Sequence, residues 1–310
     1  MVLEESLGVL LALSAATAWG AAVVMSKSAL KIDHSLAMVM VIRGTFAVPF
    51  IATLAILAFG MESILRFFQA DVFWLMVLSS IFVGIGDFSL FSALKRVEVS
   101  KAQPITSVYP LFTAIILILF GVETITEFVL LGTLSIVSGV ALISTQRSSV
   151  QEQGTSIETI GLLLSIGAAF FWSFAILTLR MVLTFSGVQV LGLATVRFAM
   201  MTILMAGLWL IQTYLLPQFS NKKEIRPLNI GKRDTIVLGI GGLVTWGIGG
   251  VAFFYSIDII GAARATPISS INPLIAVLLG ILILKERLTR IHTLGILLVT
   301  LGVIFISIFH

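Results

Sequence analysis

The sequence predicts an all-α membrane protein of ten transmembrane helices, arranged as two inverted five-helix repeats, and three observations lead there. The 310-residue chain is 58% hydrophobic and 11% charged, against roughly 25% charge in an ordinary soluble domain, and its mean hydropathy is +1.13. Apolar runs of about 20 residues, the length that crosses a hydrocarbon core of about 30 Å, follow one another with little between them. The chain also aligns with itself. Shifted by 163 residues, Gly84 meets Gly247, Gly86 meets Gly249, Pro104 meets Pro267, Ser107 meets Ser270, Pro110 meets Pro273 and Glu123 meets Glu286. Shifted by 153, Gly8 meets Gly161, Trp19 meets Trp172 and Lys27 meets Arg180.

The runs fall at residues 7–27, 36–59, 72–94, 101–120, 127–145, 160–182, 189–216, 235–257, 264–284 and 291–309. They divide into a first repeat over 1–145, a polar linker over 146–159, "QRSSVQEQGTSIET", and a second repeat over 160–310. An odd number of spans makes the second copy enter the membrane from the opposite side, which gives a pseudo-two-fold axis in the membrane plane. Two such halves can exchange conformations, so that a site near the midplane opens to one side and then the other.

Taken in order, span 1 is preceded by Glu4 and Glu5 without a cationic stretch. It is also too long for a cleaved signal peptide, so it reads as a retained helix. It carries Trp19 between Ala18 and Gly20. Trp19, Trp172 of span 6 and Trp246 of span 8 lie within spans, not at the interfaces where an aromatic belt sits. They suit an aromatic wall over a narrow cleft, with bulk packing as the alternative. Span 2 carries Arg43 about two turns in, and span 7 carries Arg197 at the matching place. Each either faces a cavity, where a guanidinium grips a carboxylate with two parallel hydrogen bonds, snorkels to the interface, or holds helices together in a structural role. Span 3 carries Asp87, the only carboxylate well inside a span. An acid near the bilayer centre costs at least about 2.5 kcal/mol, so it faces protein or water. It is the candidate proton-coupling site, a partner for a substrate ammonium, or half of an ion pair with Arg43.

Spans 4 and 9 open on "KAQPITSVYPLF" and "RATPISSINPLI", with prolines at the same offsets. Pro104 and Pro267 are expected in first turns, where the missing donor would be unpaired anyway. Pro110 and Pro273 are expected deeper, each freeing the carbonyl four residues earlier, on Thr106 and Ser269. Gln103, Thr106, Ser107 and Tyr109, and Thr266, Ser269, Ser270 and Asn272, cluster around those carbonyls and mark a gate or cavity wall. Spans 5 and 10 repeat glycines seven residues apart, Gly132 and Gly139 with mates Gly295 and Gly302, which are packing faces where helices approach closely. Glu123 and Glu286, at the ends of spans 4 and 9, are expected to cap the turns into "TIT" and "RLT".

The substrate-binding candidates are therefore Trp19, Arg43, Asp87, Gln103, Thr106, Tyr109, Trp172, Arg197, Trp246, Ser270 and Asn272, with Pro110 and Pro273 as gate or kink positions. No catalytic residue, metal ligand or cofactor is expected. The chain has no cysteine, and His34, His292 and His310 lie near span ends outside any H-E-x-x-H pattern. No nucleotide-binding motif supports drive by ATP. The net charge of +4 does not imply nucleic acid, because the cations sit in short loops beside spans. Most of those loop cations fall on the side away from the termini, which predicts both termini outside the cytoplasm.

The two stretches "PLFTAIILILFGVETITEFVLLGTLSIVSGVALI" and "PLIAVLLGILILKERLTRIHTLGILLVTLGVIFI", together with the tryptophan in the first span of each half and the arginine early in the second, resemble the EamA family of the drug/metabolite transporter superfamily. The resemblance implies ten helices, a pathway lined by the first four helices of each half, and export or exchange of metabolites, often amino acids or related compounds. One feature departs from the small four-helix multidrug members, which couple protons through a carboxylate in the first span: "LALSAATAWGAAVVM" has no acid. The expected protein is a multi-pass secondary transporter of the cell (inner) membrane. It would work by alternating access on a small-molecule substrate such as an amino acid, with proton coupling at Asp87. A flippase for a lipid or lipid-linked headgroup is the alternative. Two fused halves complete the cavity within one chain, so a monomer suffices, and the expected partners are the substrate and the lipid bilayer.

Overall fold

A computed structural model describes residues 2–31, 34–145, 156–185, 187–215, 230–275 and 290–308. The first half comprises α1 (Val2–Ala29), α2 (Leu36–Phe59), a single turn α3 (Glu62–Leu65), α4 (Ala70–Leu94), α5 (Val99–Thr106), α6 (Tyr109–Leu119) and α7 (Glu127–Thr145). The second half comprises α8 (Ser156–Leu183), α9 (Val190–Leu210) and α10 (Lys232–Gly242). A π-helical stretch over Leu243–Gly250 then leads into α11 (Val251–Ile260), followed by α12 (Ala262–Ser269) and α13 (Arg290–Ile308).

Apolar sequence in lipid must satisfy its backbone groups internally, and helices do so. Among the described residues, seven helical stretches are long and apolar enough to span a membrane: Leu3–Ala29, Leu36–Phe59, Val72–Leu94, Lys101–Leu119, Ser156–Leu183, Val190–Tyr214 and Lys232–Ile260. Glu127–Leu142 and Thr293–Ile308 are shorter apolar helices. The predicted ninth span continues beyond residue 275 outside the described residues, as do linker residues 146–155 and Glu286. Residues 156–159, expected in the linker, already belong to α8. Gly60 and Gly261 take positive φ of 75° and 79° where α2 and α11 end, a conformation that side-chain-bearing residues avoid.

The main helix packing is between the halves. Helix α1 lies on α11, α4 on α8, α2 on α9 and α7 on α13, so each partnership is matched by its repeat counterpart or is its own counterpart. The contacts agree residue by residue. Gly8 fits against Ile260, and its mate Gly161 fits against Val97, in both cases without room for a Cβ. Glu5 meets Arg264 at 4.0 Å and Glu158 meets Lys101 at 2.6 Å. The start of α1 thus lies beside the end of α11, whereas the start of α8 lies beside the end of α4. Lys27, at the far end of α1, donates to the Leu94 carbonyl at the end of α4, so α1 and α8 run in opposite directions. On α7 and α13, Gly132 backs onto the Gly302 carbonyl and Gly139 onto that of Gly295, the close approach that small residues allow.

Large apolar residues such as Leu57, Trp74, Leu119 and Ile203 point outward. Arg43, Asp87, Gln103, Ser173 and Arg197 are buried. That distribution suits a bundle in lipid, where intramembrane charges face the protein interior.

The prolines reverse the expected reading. Helix α5 begins at Val99, so Pro104 lies inside it, and Pro267 lies inside α12 in the same way. The backbone turns at Ser107 and Val108 before α6 starts, placing Pro110 in the first turn of a new helix. It turns again at Ser270 and Ile271, and residues 272–275, including Pro273, are helical. Each of these spans is thus broken just ahead of its second proline, where the absent donor costs little.

Candidate functional site

The two halves enclose a cavity of about 130 Å³, roughly ten times the space that one water needs. Helices α1, α2, α4, α5, α6, α8, α9 and α11, the π-helical stretch, Ser107 and Asn272 supply its wall, and α7 and α13 contribute none of it among the described residues. Of the residues singled out from sequence, Trp19, Arg43, Asp87, Gln103, Thr106, Tyr109, Trp172, Arg197, Trp246 and Asn272 line the cavity. Ser270 does not. It is buried, and its Oγ donates to the Pro267 carbonyl at 2.8 Å, closing the end of α12. Pro110 and Pro273 stand next to lining residues without lining the cavity themselves.

Asp87 is 8% exposed and is held by two indoles. Trp172 Nε1 donates to Oδ1 at 2.9 Å and Trp246 Nε1 donates to Oδ2 at 3.3 Å. No cation lies within 4.0 Å of it among the described residues, so of the alternatives the sequence left open the ion pair with Arg43 does not form. The two tryptophans reach it because α8 packs on α4, and because a π-helix, with its wider turn, carries Trp246 inward.

Arg43 and Arg197 are each 3% exposed, so neither snorkels. Arg43 Nη1 donates to Ser26 Oγ at 2.7 Å, and its guanidinium lies 4.9 Å from the Phe91 ring centre and 5.2 Å from that of Trp246. The Arg197 guanidinium lies 5.0 Å from the Phe254 ring centre. Phe198 stacks on Trp246 at 5.3 Å and on Phe254 at 5.6 Å. Three near-parallel rings therefore link the two cations, and cation–π attraction, worth about 2 kcal/mol when desolvated, helps hold charge there. Arg43 Nε and Arg197 Nε and Nη1 are buried without hydrogen-bond partners, as is Gln103 Oε1.

Trp19 mirrors Trp172. Its Nε1 donates to the Thr245 carbonyl at 3.0 Å, and its indole covers Gly249, where a Cβ would lie 2.6 Å from Nε1. Trp172 covers the repeat mate Gly86 just as closely. The broken helices are braced by the same symmetry. Ser173 Oγ donates to the Tyr109 carbonyl at 2.9 Å. Its repeat mate Gly20 leaves room for the Asn272 carbonyl, 2.8 Å from where a Cβ would stand. Tyr109 Oη bonds Ser269 Oγ at 2.8 Å and donates to the Thr266 carbonyl at 3.2 Å, and Ser107 Oγ donates to Asn272 Oδ1 at 3.4 Å, so the two breaks are tied to each other.

The glycine seats imply a test. Gly86→Ala is expected to displace Trp172 and destabilise the protein by about 1–3 kcal/mol, the usual penalty for overpacking. Tryptophan emission and thermal unfolding in detergent should both change. Gly167→Ala, with nothing within 4 Å of the added methyl, should leave both as they are. Equal behaviour of the two variants would contradict the seat.

Sequence reasoning missed Ser26, Phe91, Phe198, Phe253 and Phe254 as lining residues, since 22 phenylalanines in apolar spans give no contrast. The glycine seats were within reach, because one alignment pairs Gly86 with Gly249 and the other pairs Trp19 with Trp172. Glu123 was expected to cap its own turn. It instead accepts from Ala262 N at 2.9 Å and Ala263 N at 2.8 Å, the first turn of α12 in the other half, and meets Arg180 Nε at 2.5 Å. Among the described residues, no three His, Asp or Glu side chains gather to hold a metal ion.

The profile of the EamA-like transporter family matches residues 6–145 and again residues 159–308. An uncharacterized transporter of Archaeoglobus fulgidus is 28% identical over 72% of this chain and 71% of its own. A Listeria monocytogenes protein named for sugar uptake is 28% identical over 83% of this chain and 87% of its own. A crystal structure of a protein 19% identical to this one superposes with a TM-score of 0.68, covering 97% of this chain and 96% of that one. At that identity the superposition speaks for the fold alone.

Proposed function

Because the chain belongs to the EamA-like transporter family, we propose that it is a ten-span secondary transporter, an exporter or exchanger, that moves a small carboxylate-bearing metabolite by alternating access. One observation carries this reading: the cavity between the halves is walled by repeat mates, Trp19 with Trp172 and Arg43 with Arg197, on first helices that run in opposite directions. Inverted halves around a shared midplane site are the arrangement in which one half can adopt the conformation of the other. The breaks before Pro110 and Pro273 are the positions where spans 4 and 9 can bend to open either end. The chain is a membrane protein, so the test is transport in proteoliposomes. Preloaded vesicles are expected to exchange internal for labelled external substrate, and vesicles with the protein that exchange nothing from a metabolite panel would contradict the carrier.

Asp87 is the only carboxylate among the described residues that line the cavity, and the side chain there suited to carrying a coupled proton. Asp87→Asn is expected to remove the response of transport to an imposed pH gradient. A variant that still responds like the wild type would retire Asp87 as the coupling site and leave the carrier reading in place.

A further inference from the structure

The cavity's charges do not balance. Among the described residues, its charged lining residues are Arg43, Arg197 and Asp87, which leave a surplus positive charge whether Asp87 is ionised or carries a proton. Neither guanidinium has a carboxylate within 4.0 Å among the described residues. Both retain buried N–H groups with no acceptor. A buried donor without a partner is costly, and a buried charge without a counter-charge more so. An oxyanion entering the cavity relieves both penalties at once.

Resting on the carrier reading above, we propose that the substrate is a net monoanion: an organic carboxylate with an apolar or aromatic body and no ammonium group. The guanidinium fork matches the carboxylate. The body lies along the indole and phenyl faces of Trp19, Trp172 and Phe253. A substrate hydroxyl meets the orphaned Gln103 Oε1. A zwitterion brings its own cation into a site already in positive surplus, and both oxygens of Asp87 are engaged by indoles. A neutral sugar leaves the guanidiniums unmet. A phosphate dianion exceeds the charge available while Asp87 is ionised.

Isothermal titration of the purified full chain in detergent, with ligands that differ in one group, tests this. The probes are 3-phenyllactate, phenylalanine, phenylalaninol, phenyl phosphate and glucose. Phenyllactate is expected to bind at least about tenfold more tightly than phenylalanine, with the other three weaker still. Arg197→Lys keeps the charge but loses the fork, and it should weaken phenyllactate by about tenfold without altering thermal stability to the same degree. Binding of any other probe as tightly as phenyllactate, or no binding of phenyllactate, overturns the assignment. If phenyllactate ranks first but drives no vesicle exchange, the carrier reading fails and the charge preference stands.

Discussion

Asp87→Ala is expected to be the most damaging single substitution in the interior, lowering stability by at least about 2–3 kcal/mol. Truncation leaves the Trp172 and Trp246 N–H groups without their acceptors, and each unmet buried donor costs about 1–3 kcal/mol. It also removes the one negative charge among the described lining residues of a cavity that holds two guanidiniums, which adds to the loss. Asp87→Asn should fall between alanine and the wild type. Its amide oxygen still accepts one indole, while its NH₂ group confronts the donor of the other. Thermal or denaturant unfolding in detergent, read by tryptophan emission, measures the order. Alanine as stable as the wild type would mean that the indoles do not depend on the carboxylate.

The second large effect is expected at Glu123. Its carboxylate takes the first two N–H groups of α12 and the Arg180 guanidinium, and thereby links the end of span 4 to two elements of the other half. Losing an N-terminal cap costs about 0.5–2 kcal/mol. The partly exposed pair with Arg180, with side chains 25% and 11% exposed, adds little by itself because solvent screens it. The larger consequence concerns conformation. Glu123→Ala cuts a tie between the halves at one end of the bundle, so cysteine labelling introduced at that end should rise several-fold, whereas Glu123→Gln, which keeps one acceptor, should rise less. Unchanged labelling in both variants would show that this contact does not hold that end closed.

The spans that carry the site were legible because a polar group in an apolar run is conspicuous and expensive. Arg43, Asp87, Arg197 and the tryptophans of spans 1, 6 and 8 were found that way, and all line the cavity. Their partners were not legible. Asp87 chose two indoles from the other half over Arg43, and Glu123 capped a helix 139 residues away in preference to its own turn. The prolines were misread for a related reason: whether a proline starts or interrupts a helix depends on where that helix begins, and Val99 and Ala262 begin theirs earlier than hydropathy suggested.

The sequence by itself determined that this chain lives in a bilayer as a duplicated set of helices, because hydropathy and self-similarity are properties of residues in order. Only the tertiary structure decided which charge meets which donor, and that, among the described residues, two guanidiniums face a cavity with one carboxylate. Those outcomes depend on distances across the interface between the halves, which follow from how the two copies pack and not from the chemistry of either segment alone.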